Sequence, residues 1–175
     1  MRYVCDAPGT GAWFRIETQG EAALESQAMS HAVEKHFTQA QERAATSYVP
    51  PPGPFIERDI GLKAHIQRVM PIFVTLRDGE GNALVTAMLP PTGYDERTFR
   101  PVIVGRANTD PYPEYAEAIK ALGEHFGLVL DRSRCYPYGV GEARDGARAS
   151  RYRSPRVSAT RVTGVVVWSG APQES

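Results

Sequence analysis

The sequence predicts one α+β domain of two layers, a mainly antiparallel sheet with its helices on one face. Three observations carry this expectation. Residues 21–43 place apolar side chains on one helical stripe. Residues 71–89 form two β-branched runs around a Gly/Asn turn. Residues 111–126 repeat the helical stripe behind an Asp-Pro start. Strands joined by tight turns pair antiparallel, and amphipathic helices must bury their apolar stripe against the sheet. At 175 residues the whole chain, 1–175, fits a single domain. A chain of that size buries about 70% of its unfolded surface, so it needs no metal or disulfide to be stable.

The elements follow in order. Residues 1–11, ending in Pro8-Gly9-Thr10-Gly11, read as an N-terminal arm leading into a strand at Trp13-Phe14-Arg15-Ile16-Glu17-Thr18. After Gln19-Gly20 comes the long helix, 21–43. Ala22, Met29, Val33, His36, Phe37 and Ala40 share one face at the spacing of a 3.6-residue period. Residues 48–54, with four prolines, form a Pro-rich connector of extended, polyproline character. Residues 55–70 fit a helix through Leu62, Ile66, Val69 and Met70, yet also alternate as a strand would. Pro71 makes a natural helix stop, so helix is preferred.

A hairpin then spans about 71–89, with Asp78-Gly79-Glu80-Gly81-Asn82 at its turn, and 99–105 adds a third strand to the meander. Asp110 and Pro111 supply a cap and a first-turn proline for the second helix, on which Tyr115, Ile119, Leu122 and Phe126 share a face. Gly127 ends that helix, and Leu128-Val129-Leu130 reads as a short strand. Residues 131–159, rich in Arg, Tyr and Gly, show no apolar period and read as loop. Residues 160–168, ending Val165-Val166-Val167-Trp168, read as a last, buried strand.

Composition narrows the function classes. Apolar residues make up 42% and charged residues 23%, so the chain is globular rather than disordered. Net charge is zero, which removes any long-range pull of the whole molecule on nucleic acid or anionic lipid. No run of about 18 apolar residues is present, so no membrane partner is expected. Cys5 and Cys135 are the only cysteines and are read as free thiols of a cytoplasmic protein. The 17 Arg against 3 Lys suggest a GC-rich bacterial genome.

Candidate chemistry is sparse. His31 and His36 lie about 140° apart on one continuous helix. They cannot share a ligand unless that helix breaks. With His65 and His125 isolated, no metal site and no cofactor are expected. Gly9-Thr10-Gly11 and Gly139-Val140-Gly141 lack the strand-to-helix context and the lysine of a phosphate loop, and are read as turns. Cys135 stands among Arg132 and Arg134, which would favour its thiolate if they converged on it. His125, ten residues away, completes a weak catalytic pair.

The feature that departs from background is charge. Eight arginines fall within 132–161, against two acidic residues, with Tyr136, Tyr138 and Tyr152 interleaved. Guanidinium groups grip phosphates, and both Arg and Tyr stack on unpaired bases. The candidate ligand-binding residues are therefore Arg132, Arg134, Tyr136, Tyr138, Arg148, Arg151 and Arg153. Any pocket is expected where this segment meets the sheet or the 93–97 loop. Since no acid, base, nucleophile or metal set assembles in the sequence, the favoured function is a non-catalytic binding or regulatory domain. A homo-oligomer is left open. The rivals are binding of nucleic acid or a phosphorylated ligand through 132–161, and an enzyme using Cys135 or a His/carboxylate pair.

Overall fold

Five strands pair antiparallel in chain order: β1 (Arg2–Ala7), β2 (Gly11–Arg15), β3 (Ile72–Asp78), β4 (Ala83–Leu89) and β5 (Val102–Gly105). Helices α1 (Gln19–Met29), α2 (Val33–Thr46) and α3 (Phe55–Val69) lie in sequence between β2 and β3, and α4 (Tyr112–Phe126) follows β5. This is the fold of a computed structural model that describes residues 1–91 and 99–138, all within one compact unit, Met1–Gly141. The α+β class and the antiparallel meander agree with the sequence. Residues 92–98 and 139–175, with the expected strand at 160–168, most of the 131–159 loop and the glycines at 139 and 141, lie outside the described residues. Among the described residues no helix is long and apolar enough to cross a membrane.

Strand β3 is buried along Ile72–Leu76, which explains its unbroken apolar run: a strand covered on both faces has no polar side to alternate with. That burial also corrects the expected layering. Ile72, Val74 and Leu76, with Val85, Ala87, Leu89 and Ile103, pack against Ala118, Ile119 and Leu122 of α4. Phe73 and Ile16 pack with Ala22, Val33, Phe37 and Ala44 of α1 and α2. The helices thus divide between the two faces, and the sheet is the middle of three layers. Trp13 on β2, fully buried, ties α4 down by donating its indole N–H to the Ala118 carbonyl at 2.9 Å.

The expected N-terminal arm is a strand. β1 pairs with β2 around a turn in which Thr10 N–H donates to the Ala7 carbonyl at 3.1 Å and Gly9 takes φ of 73°. β1 is an edge strand with Tyr3 outward, so it lacks the apolar alternation that marks a buried one. Gly11 is required where β2 crosses β3, because a Cβ there would collide with the Arg77 carbonyl.

The expected single helix at 21–43 is two. α1 starts two residues earlier with a capping box: Thr18 Oγ1 accepts from Glu21 N–H, and the Glu21 carboxylate accepts from Thr18 N–H. It ends at Ser30, whose left-handed φ of 54° turns the chain. The first turn of α2 is then capped from α1, Glu34 N–H donating to Ser26 Oγ at 2.7 Å. The apolar stripe continues across the break, which is why periodicity alone does not reveal it. A serine in the left-handed region carries strain that glycine does not. Ser30→Gly is therefore expected to stabilise the fold by about 0.5–1 kcal/mol after the glycine's own entropy cost. A fall in the urea midpoint would contradict this backbone at position 30.

Residues 55–70 are helical, as preferred, and α3 stops where Pro71 follows. It docks on α2 through Ile66 and Val69, and His65 Nε2 lies 2.8 Å from Ser47 Oγ. Leu128–Leu130 is no strand. It folds back on α4, with Leu128 N–H donating to the Gly123 carbonyl at 2.8 Å and Leu130 buried. α4 begins one residue later than expected, with Pro111 at its N-cap and no side-chain cap, while Asp110 Oδ1 accepts from Tyr112 N–H at 3.0 Å just ahead of it.

Candidate functional site

The turn at Ser30 places the α1–α2 elbow over the β4–β5 end of the sheet and leaves a cavity of about 470 Å³ beneath it. His31, Ala32, Val33 and His36 line it from the elbow, and Phe73, Thr86, Met88, Val102 and Val104 from the sheet. Asn108 and the Tyr136-Pro137 pair close the remaining side. The last two are held by β5: Tyr136 N–H donates to the Pro101 carbonyl at 2.7 Å, and Ile103 N–H to the Tyr136 carbonyl at 3.2 Å. A mainly apolar hollow of this size with a few polar groups is the usual form of a small-molecule site.

The polar groups form a chain. Glu25, fully buried in α1, is ion-paired with the Arg77 guanidinium and accepts from Thr86 Oγ1 at 2.6 Å. His31 Nε2 lies 3.1 Å from the same hydroxyl. The Thr86 proton goes to the carboxylate, the stronger acceptor, so Thr86 Oγ1 accepts from His31 Nε2–H. His31 is then the neutral Nε2–H tautomer. Its Nδ1 carries a lone pair that is buried and has no partner among the described residues. Burial lowers the His31 pKa from its ordinary value and neighbouring His36 lowers it further, while the Glu25 carboxylate and the His31 carbonyl oppose them. The neutral form therefore persists at neutral pH.

The histidine geometry follows from the broken helix. On one continuous helix His31 and His36 would diverge; with His31 in the break after Ser30 and His36 on α2, both line the cavity. Among the described residues no cluster of three or more His, Cys, Asp or Glu could hold a metal ion.

The residues singled out from the sequence are placed as follows. Tyr136 lines the cavity. Arg132 donates from Nε to Asp110 Oδ2 at 2.7 Å and stacks 5.1 Å from the Tyr138 ring, whose hydroxyl donates to the Thr109 carbonyl. Arg134 pairs with Asp131 at 3.6 Å. These two arginines are each engaged with a carboxylate, Asp110 and Asp131. Arg148, Arg151 and Arg153, and the 93–97 loop, lie outside the described residues. Cys135 is fully buried in the core, and burial pushes its thiol pKa up, Tyr112 and Arg100 opposing only in part. His125 is exposed at the end of α4, edge-on to Phe126. Neither is among the residues lining the cavity.

Sequence reasoning missed Glu25, Arg77 and Thr86. One signal was available: Glu25 falls on the apolar stripe of α1, between Ala22 and Met29, where a carboxylate must find a buried partner. No protein-family model, no curated protein and no solved structure matches this chain.

Proposed function

We propose that the protein is a small-molecule-binding domain whose ligand sits beneath the α1–α2 elbow, and that it binds rather than transforms that ligand. The observation that carries the reading is the cavity itself, apolar through Val33, Phe73, Met88, Val102 and Val104, with the imidazoles of His31 and His36 on its wall. No Asp, Glu, Lys or Arg is among the described residues lining it, which suits an uncharged or weakly polar occupant. The described lining holds no Cys, Ser, Lys or carboxylate, so binding is the simpler reading. The two free thiols and the Arg-over-Lys bias fit a bacterial cytosol as its setting.

The test uses N-phenyl-1-naphthylamine, an uncharged dye that brightens in apolar surroundings. Saturable 1:1 enhancement is expected with the native protein, and Val104→Trp, which fills the cavity, should weaken it at least about tenfold. Ile56→Ser, on the exposed outer face of α3, should leave it unchanged. No enhancement, or enhancement that follows Ile56 instead of Val104, overturns the reading. The filled variant is expected to lose about 1–3 kcal/mol of stability through overpacking, so its fold is checked by circular dichroism.

A further inference from the structure

We infer, resting on the binding reading above, that the ligand is an apolar molecule carrying an uncharged hydrogen-bond donor, a hydroxyl or ring N–H, and that His31 Nδ1 accepts that donor. The hydrogen bonds linking Arg77, Thr86 and His31 converge on the Glu25 carboxylate. Arg77 donates to Glu25, Thr86 donates to Glu25, and His31 Nε2–H donates to Thr86. The remaining ring nitrogen can only accept. A buried acceptor left without a partner is rare and calls for a missing group. The imidazole lines the cavity, so an occupant of the cavity lies beside this ring.

Protonation would reverse the preference, since an imidazolium offers only donors. The groups that set it are Glu25 on α1 and His36 on α2, with Arg77 on β3 behind Glu25, while β4 contributes only the neutral Thr86. His31 resists protonation when folded, so acceptor behaviour holds at neutral pH and fades only below its ordinary titration range.

The experiment compares 2-naphthol with 2-methoxynaphthalene, which keeps the aromatic body but replaces the donor by an acceptor. At pH 8 the naphthol is expected to bind about tenfold tighter, the equivalent of one net hydrogen bond. In ¹H–¹⁵N correlation spectra the free protein should show His31 protonated at Nε2 only. Its Nδ1 resonance should move with the naphthol and stay put with the ether. His31→Phe should erase the preference, and if that variant fails to fold, the wild-type Nδ1 resonance decides alone. Equal binding of both probes, or a His31 protonated at Nδ1, overturns the inference while leaving the cavity reading intact. Binding of neither overturns both.

Discussion

Arg77→Met is expected to lower the free energy of unfolding by about 3–5 kcal/mol, because it strands a charged Glu25 in the interior. Glu25 is 0% exposed and the Arg77 side chain 18%, so this is not one of the surface pairs worth under about 1 kcal/mol. The pair also joins α1 to β3, and Thr86 adds β4 to the same carboxylate. Against a typical total of about 5–15 kcal/mol the loss is severe. The informative control is the combined variant Glu25→Leu, Arg77→Met, Thr86→Val, which removes the ion pair and the hydroxyl on it together and leaves only His31 of the hydrogen-bonded chain. It should recover most of the stability, since a well-packed apolar replacement of a buried pair is often neutral or better. Urea denaturation of the single and combined variants measures both quantities. A cost below about 1 kcal/mol for Arg77→Met would mean that water reaches the pair.

Trp13→Ala should cost a similar amount, about 3–5 kcal/mol, by a different route. Trp13 is 0% exposed and fills the layer between β2 and α4, so truncation leaves a void that the sheet cannot close. Trp13→Phe keeps much of the volume and loses the bond from the indole N–H to the Ala118 carbonyl, so about 1 kcal/mol of its cost is assigned to that bond. The difference between the two variants separates filling from hydrogen bonding. If the alanine variant lost less than about 1 kcal/mol, α4 would not be held by this face.

Much of the fold was legible in the sequence because local chemistry and final structure agree. Asp78 shows this in the β3–β4 turn, where its carboxylate accepts from Glu80 N–H at 2.9 Å and Asn82 N–H at 2.8 Å. Pro71 likewise stops α3 where the sequence says it should. The break at Ser30 was illegible because no glycine or proline marks it. Its cause, the capping of Glu34 by Ser26, lies in a side chain that reads as ordinary helix surface. The helices' division between two faces was legible in part, since Phe73 and Val74 are apolar on opposite sides of β3. The candidate site was mostly hidden. Glu25 meets Arg77 and Thr86 at separations of 52 and 61 residues, and His31 meets Thr86 at 55, distances over which no local pattern operates. Of the ligand-binding residues singled out, Tyr136 alone among the described ones lines the cavity. Of its neighbours, Arg134 pairs with Asp131 in its own loop and Arg132 with Asp110 ahead of α4.

The chain-order sheet has a consequence for how the molecule assembles. β1 with β2, and β3 with β4 and β5, are each pairings between neighbours along the chain, so both ribbons close short loops. The β2–β3 seam is the exception, since α1, α2 and α3 must be gathered before Arg15 meets Val74. That join is the sheet's pairing across the longest stretch of chain, the kind of non-local contact that costs most loop-closure entropy to form. Glu25 and Arg77 span the same seam from opposite banks, so the ion pair fastens the two ribbons only once the helical segment between them is in place.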